Sequence, residues 1–143
     1  MLSLSKTQAN LIIISSILRP HEAIVAASTG HISVHETGAI EATGHKICTI
    51  ETEDGKLTVE HIKEVLEVHE SEHMVKPKMV FISNTTELGT IYKKEELQEI
   101  SKFCKENNLY LTWPSGKESA CQCRRRRTCE IDPWVEKIPW RKK

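Results

Sequence analysis

The chain of 143 residues has the length of one average domain, and its 20 Lys and Arg cancel its 20 Asp and Glu, which excludes a uniformly basic nucleic-acid binder and an acidic tail protein. Hydrophobic residues make up 38% of it and aromatic residues 5%, enough for a modest core and too many for a disordered chain. Apolar runs such as Leu11 to Ile14 are far too short to cross a bilayer, and no basic segment followed by an apolar stretch opens the sequence, so a soluble cytoplasmic protein without membrane attachment is expected.

The predicted elements alternate along the chain. Entered from Thr7-Gln8-Ala9-Asn10, the residues Leu11, Ile14, Ile17 and Leu18 follow helical spacing, although the β-branched isoleucines also suit a strand; Arg19-Pro20 ends the segment. Ala23 to Ala27 is a short continuous apolar run, expected of a strand covered on both faces and closed by Gly30. Ile40 to Gly44 reads as the end of a short helix with a glycine C-cap, Lys46 to Ile50 as a strand, and Glu53-Asp54-Gly55 as a turn. From Thr58, a candidate N-cap, the apolar residues Val59, Ile62, Val65, Leu66 and Val68 alternate with charges in an amphipathic helix. Pro77 precedes a buried strand at Met79 to Ile82, which opens into the polar loop Ser83-Asn84-Thr85-Thr86. A second amphipathic helix carries Leu97, Ile100, Phe103 and Cys104 on one face and ends at Asn107-Asn108, and Leu109 to Leu111 forms the fourth strand.

Strands separated by helices predict right-handed βαβ units, hence an α/β fold with a mostly parallel sheet flanked by helices. Ligands of such sheets bind beyond the carboxyl ends of the strands, which directs attention to residues 6–10, 29–36 and 84–89. No glycine-rich dinucleotide fingerprint or phosphate loop of the usual spacing is present, so the ordinary nucleotide-binding readings lose support.

Three strings in order carry a resemblance: Thr7-Gln8-Ala9-Asn10-Leu11; Thr29-Gly30-His31 with His35-Glu36-Thr37-Gly38-Ala39-Ile40-Glu41; and Ser83-Asn84-Thr85-Thr86-Glu87-Leu88-Gly89-Thr90. Together they resemble the threonine aldolase and aromatic amino-acid β-eliminating lyase family, nearly continuously over residues 1–112. The resemblance implies part of the large domain of the aminotransferase-like (fold type I) architecture, pyridoxal 5'-phosphate as cofactor, and retro-aldol cleavage of a β-hydroxy amino acid such as threonine to glycine and an aldehyde. It also implies homo-oligomers with shared active sites, which a fragment would struggle to form.

The resemblance assigns roles to particular residues. Thr7 would offer its backbone N–H and hydroxyl to the cofactor phosphate, with Lys6, which stands where the family has glycine, pairing with the same phosphate; an ordinary N-cap is the competing reading of Thr7. His31 matches the histidine that stacks on the pyridine ring and assists proton transfer, and read without the resemblance it is a loop histidine. Glu36 would line the substrate pocket, orient a neighbouring histidine or be solvated. Asn84 and Glu87 would line the substrate pocket or serve the turn. His31 and His35 have the i, i+4 spacing of a helical metal pair, but no third ligand is evident and no metal is assigned.

Past Thr112 the pattern stops. The family continues into an Asp-Gly-Ala-Arg block, whose aspartate pairs with the pyridinium nitrogen and whose arginine helps hold cofactor or substrate, and further on to the Schiff-base lysine. This chain reads Thr112-Trp113-Pro114-Ser115-Gly116-Lys117, and Lys117 has none of that lysine's setting. Residue usage changes at the same point. Residues 1–112 carry 11 basic and 16 acidic side chains, net −5, and residues 113–143 carry 9 and 4, net +5, together with all three Trp and Cys121, Cys123 and Cys129. An odd total of five cysteines argues for reduced thiols over a disulfide framework. Three readings of the tail compete: a basic Trp-rich segment that binds nucleic acid through Arg124 to Arg127, a weak three-cysteine metal site, and a reading frame shifted near Thr112. The last is favoured, and nucleic acid is not expected as a partner. The expectation is therefore a lyase-like fragment over residues 1–112 that is inactive alone, of marginal stability, with exposed apolar surface, followed by a disordered or out-of-frame tail at 113–143; the alternative is a small non-enzymatic module binding nucleic acid through its arginines.

Overall fold

A computed structural model describes residues 6–113, with the side chain of Lys6 outside what is described. Helix α1 (Lys6–Ile17) leads into strand β1 (Glu22–Ala27), the one-turn helix α2 (His31–Val34), a 3-10 turn (Glu41–Thr43) and strand β2 (Ile47–Ile50). Helix α3 (Val59–Val68), strand β3 (Lys76–Phe81), helix α4 (Lys94–Glu106) and strand β4 (Tyr110–Thr112) follow. The strands form one four-stranded sheet in the order β2-β1-β3-β4, with every pairing parallel.

Alternation along β1 and β3 divides the core in two. Val25, Ala27, Val80 and Ile82 face α3 and α4, where they meet Leu57, Val59, Ile62, Tyr92, Ile100 and Cys104. Ile24, Ala26, Met79 and Phe81 point to the other side, against Ile14 and Leu18 of α1, Ile32 of α2 and Ile40. The crossover from β1 to β2 thus lies on the α1 side, and the crossover from β3 to β4 on the opposite side. Strand order reverses between β1 and β3, and at such a switch point the two outgoing loops diverge and leave a crevice at the carboxyl ends of the strands.

Local chemistry accounts for most of the boundaries. Thr58 caps α3 reciprocally: its Oγ1 accepts from the His61 N–H at 3.3 Å, and His61 Nδ1 accepts from the Thr58 N–H at 3.2 Å, so a histidine performs the part usually taken by Glu or Gln. Gly44, at φ 85°, closes the 3-10 turn, as expected of a glycine C-cap. Tyr92 anchors the loop before α4, its hydroxyl accepting from the Leu57 N–H at 2.6 Å; burial is the main cause that pushes its phenol up to about 12.

Some sequence expectations are settled and others corrected. The first segment is a helix, which settles the ambiguity its isoleucines left open. Gly30 does not end β1; the strand stops at Ala27 and Gly30 is the N-cap of α2. His31 is accordingly the first residue of a short helix rather than a loop histidine, because four residues are too few to leave a periodic trace. Pro77 lies inside β3, an interior strand, where its missing N–H is tolerated at an irregularity: Ala23 pairs with Pro77 and Ile24 with Met79, so Lys78 is the extra residue. The expected exposed apolar surface is found on α1, where Ile12 is 50% and Ile13 39% exposed. No helix among the described residues is long and apolar enough to cross a membrane. Residues 114–143, with Lys117, the arginine run and three of the cysteines, lie outside the described residues.

Candidate active site at the carboxyl end of the sheet

The chain leaving β1 turns into α2 through Gly30, whose N–H bonds Ala27 O at 2.8 Å; a Cβ there would stand 2.9 Å from that same oxygen, so the turn is tight enough to require glycine. It delivers His31 beside the loop that leaves β3. His31 Nδ1 lies 3.1 Å from Glu87 Oε1, its Nε2 lies 3.8 Å from Glu36 Oε1, and its backbone N–H approaches Ser83 Oγ at 3.5 Å. One helical turn on, His35 Nε2 stands 3.6 Å from Glu87 Oε2, and the two imidazole centroids are 5.5 Å apart at a 43° tilt.

Beneath this pair sits Glu36, whose side chain has no solvent exposure. Asn10 Nδ2 of α1 donates to its Oε1 at 2.6 Å, while its Oε2 is buried without a hydrogen-bond partner among the described residues. The chain reverses directly after it through Thr37 at φ 52° and Gly38 at φ 74°. A buried carboxylate with an unused oxygen is costly and is seldom kept without a purpose. It joins α1 to His31, so that the helix start and the imidazole are registered against one another.

Of the residues singled out from sequence, His31, Glu36 and Glu87 are brought together. Asn84 is turned to the loop itself, its Oδ1 accepting from the Tyr92 N–H at 3.4 Å. Thr7 lies half-buried within α1. Sequence reasoning left Asn10 without a role and considered His35 only as a metal partner. Asn10 shares the α1 face of Ile14 and Leu18, and a polar residue on that apolar stripe was the available signal. Among the described residues no group of three His, Cys, Asp or Glu is disposed to hold a metal. Away from the site, Cys48 and Cys104 are buried free thiols, and desolvation holds both above the ordinary thiol range, Cys104 at about 12.

A family model described as "Beta-eliminating lyase" matches residues 1–113. Two low specificity L-threonine aldolases, from a Pseudomonas species and from Pseudomonas aeruginosa, are 37% and 34% identical over 118 residues, each covering 80% of this chain. The structure of Leishmania major threonine aldolase superimposes with a TM-score of 0.77 and 56% identity, covering 80% of this chain and 33% of that one. A PLP-bound C-S lyase from Staphylococcus hominis, 13% identical with a TM-score of 0.57, shares the fold. The chain spans about a third of the length of these relatives, 34% for both aldolases.

Proposed function

The chain belongs to the beta-eliminating lyase family, and from that membership we propose that it carries one part of a pyridoxal-phosphate site for cleaving a β-hydroxy amino acid, threonine to glycine and acetaldehyde. The observation that carries the reading is the imidazole of His31, held at the strand-order switch between two carboxylates. Its Nδ1 is engaged with Glu87 and its Nε2 faces Glu36 at 3.8 Å, so a flat partner would meet the ring through its π face. His31 would stack on the pyridine ring, Thr7 at the start of α1 would take the phosphate, and Glu36 with Asn10 would hold those two elements in register; the sequence adds Lys6 as a second phosphate partner, its side chain lying outside the described residues. Bound there, pyridoxal phosphate supplies the electron sink that accepts the pair released when the Cα–Cβ bond breaks.

The chain's own contributions are then positional and acid-base. His31 accepts the proton of the substrate β-hydroxyl as that oxygen becomes a carbonyl. The loop around Glu87, which Asn84 braces through the Tyr92 N–H, flanks the substrate. The chain reads Thr112-Trp113-Pro114-Ser115 where the family continues into its Asp-Gly-Ala-Arg block, which supports the further proposal that the 143 residues by themselves bind the coenzyme weakly and do not turn over threonine. We take residues 1–112 as the lyase portion and 113–143 as foreign to it.

The test uses 4'-deoxypyridoxine 5'-phosphate, which has the ring and the phosphate but no aldehyde and so ignores surface lysines. Saturable binding measured by calorimetry, weakened at least tenfold by His31→Ala and by Thr7→Val, is expected, with no glycine released from threonine when pyridoxal phosphate is supplied. Binding that is indifferent to His31→Ala would overturn the assignment, and glycine release would overturn the inactivity.

A further inference from the structure

We propose that Glu87 is a positioning residue: it fixes His31 in the Nδ1–H tautomer and leaves Nε2 as the basic nitrogen. This deepens the coenzyme-site reading above and rests on it for its catalytic meaning, but the tautomer itself belongs to the unliganded protein.

Two carboxylates compete for the His31 ring, and distance decides between them. Glu87 Oε1 is 3.1 Å from Nδ1, within hydrogen-bond reach, whereas Glu36 Oε1 is 3.8 Å from Nε2, beyond it, and already accepts from Asn10. A neutral imidazole has a single N–H, and the shorter, charge-assisted bond places it on Nδ1. Glu87 Oε1 bonds His31 and its Oε2 faces His35 Nε2 at 3.6 Å, so the carboxylate is turned toward the histidines and acts through them.

The turn that carries Glu87 is built to hold it still. Within the turn the Thr86 N–H donates to Thr90 O at 2.9 Å and the Gly89 N–H to Thr86 O at 3.0 Å. The Thr90 hydroxyl donates to Asp54 O at 2.6 Å, tying the turn to the loop after β2. Gly55, at φ 76°, lets that loop seat closely, since a Cβ there would come within 3.2 Å of Thr86 Cβ and 3.3 Å of Thr29 Oγ1. Three carboxyl-end loops are thereby locked together, and Glu87 reaches the histidines from a rigid base. A ring whose N–H is fixed by an anchored acceptor is pre-oriented for proton transfer, which is the purpose of such outer supports.

The full chain, with ring-15N histidine, is observed without coenzyme by two-bond proton–nitrogen correlation on the neutral imidazoles, His31 being assigned by the signal lost in His31→Ala. His31 is expected with Nδ1 protonated and Nε2 bare. Glu87→Gln, which keeps an acceptor oxygen, retains that tautomer, while Glu87→Ala shifts the ratio at least tenfold toward Nε2–H, the equivalent of about 1.4 kcal/mol. A wild-type His31 protonated on Nε2, or a ratio unchanged in Glu87→Ala, would overturn the proposal. If Glu87→Ala fails to fold, the wild-type and Glu87→Gln spectra decide it, Nε2–H in both being the overturning result. A clamped tautomer in a protein that ignores deoxypyridoxine phosphate removes the coenzyme reading and leaves the clamp; binding with an unclamped histidine does the reverse.

Discussion

Replacing Asn10 by alanine removes the hydrogen-bond donor of a carboxylate that has no access to water. Glu36 accepts from Asn10 Nδ2 at 2.6 Å, its second oxygen has no partner among the described residues, and His31 Nε2 is 3.8 Å away. A hydrogen bond to a charged group contributes roughly 1.5–3 kcal/mol, and leaving a buried charge without its donor costs toward or above the upper end, so Asn10→Ala is expected to destabilise by about 3 kcal/mol. Glu36→Gln keeps the volume and an acceptor oxygen but reduces the bond to a neutral one of about half the strength, for a cost of about 1 kcal/mol. In that background Asn10→Ala removes only a neutral bond, so the coupling between the two changes is about 1.5 kcal/mol or more. Urea unfolding followed by far-ultraviolet circular dichroism measures it: with a slope of about 1.5 kcal/mol per molar, Asn10→Ala lowers the midpoint by about 2 M. Ser16→Ala, on the exposed side of the same helix, is the control and stays within about 0.5 kcal/mol of wild type. An Asn10→Ala cost no larger than that control, or a strictly additive double variant, would refute the view that α1 and the histidine are registered through Glu36.

Thr58→Ala removes the cap on the His61 N–H and is expected to cost about 1 kcal/mol in the same urea assay, and His61→Ala less, because it leaves the Thr58 Oγ1 bond in place. Stability is also expected to fall in alkali: Cys104 moves from 9.0 unfolded, and Tyr92 from 10.0, to about 12 in the fold, so each contributes fully below its unfolded value and loses that contribution as the pH rises toward 12. The fall is about 1.4 kcal/mol per pH unit for each group once its unfolded form ionises, and Cys104→Ala reduces the limb that begins near 9 in pH-dependent urea midpoints, leaving the share of Cys48. The coding sequence after codon 111, translated in its other two frames, is expected to read Asp-Gly-Ala-Arg in one of them, and its absence from both would refute a shifted frame as the origin of residues 113–143.

The elements that were legible in the sequence are those whose signal is local. Thr58 and the apolar spacing of Val59, Ile62 and Val65 announce α3, and the apolar runs at Ala23 to Ala27 and Met79 to Phe81 announce interior strands, because each pattern is written within a few residues of the structure it specifies. The site is different in kind. Asn10 and Glu36 are 26 residues apart and His31 and Glu87 are 56 apart, so neither pairing leaves a periodic trace. What could be read was only that loops at strand ends are where such residues would gather, together with the resemblance that singled out His31. The partner relation itself is fixed by strand order: β1 and β3 are distant in sequence but adjacent in the sheet, so the residues that follow their carboxyl ends flank the same crevice. A chain that keeps this four-strand order keeps the histidine cluster whether or not it carries a lysine to anchor the coenzyme, since among the described residues the polar contacts that join Asn10, His31, His35, Glu36 and Glu87 come from α1 and from the segments that follow β1 and β3. The stability of the cluster and its competence for turnover are therefore separable, and the deoxypyridoxine phosphate and threonine assays should separate them in the same preparation.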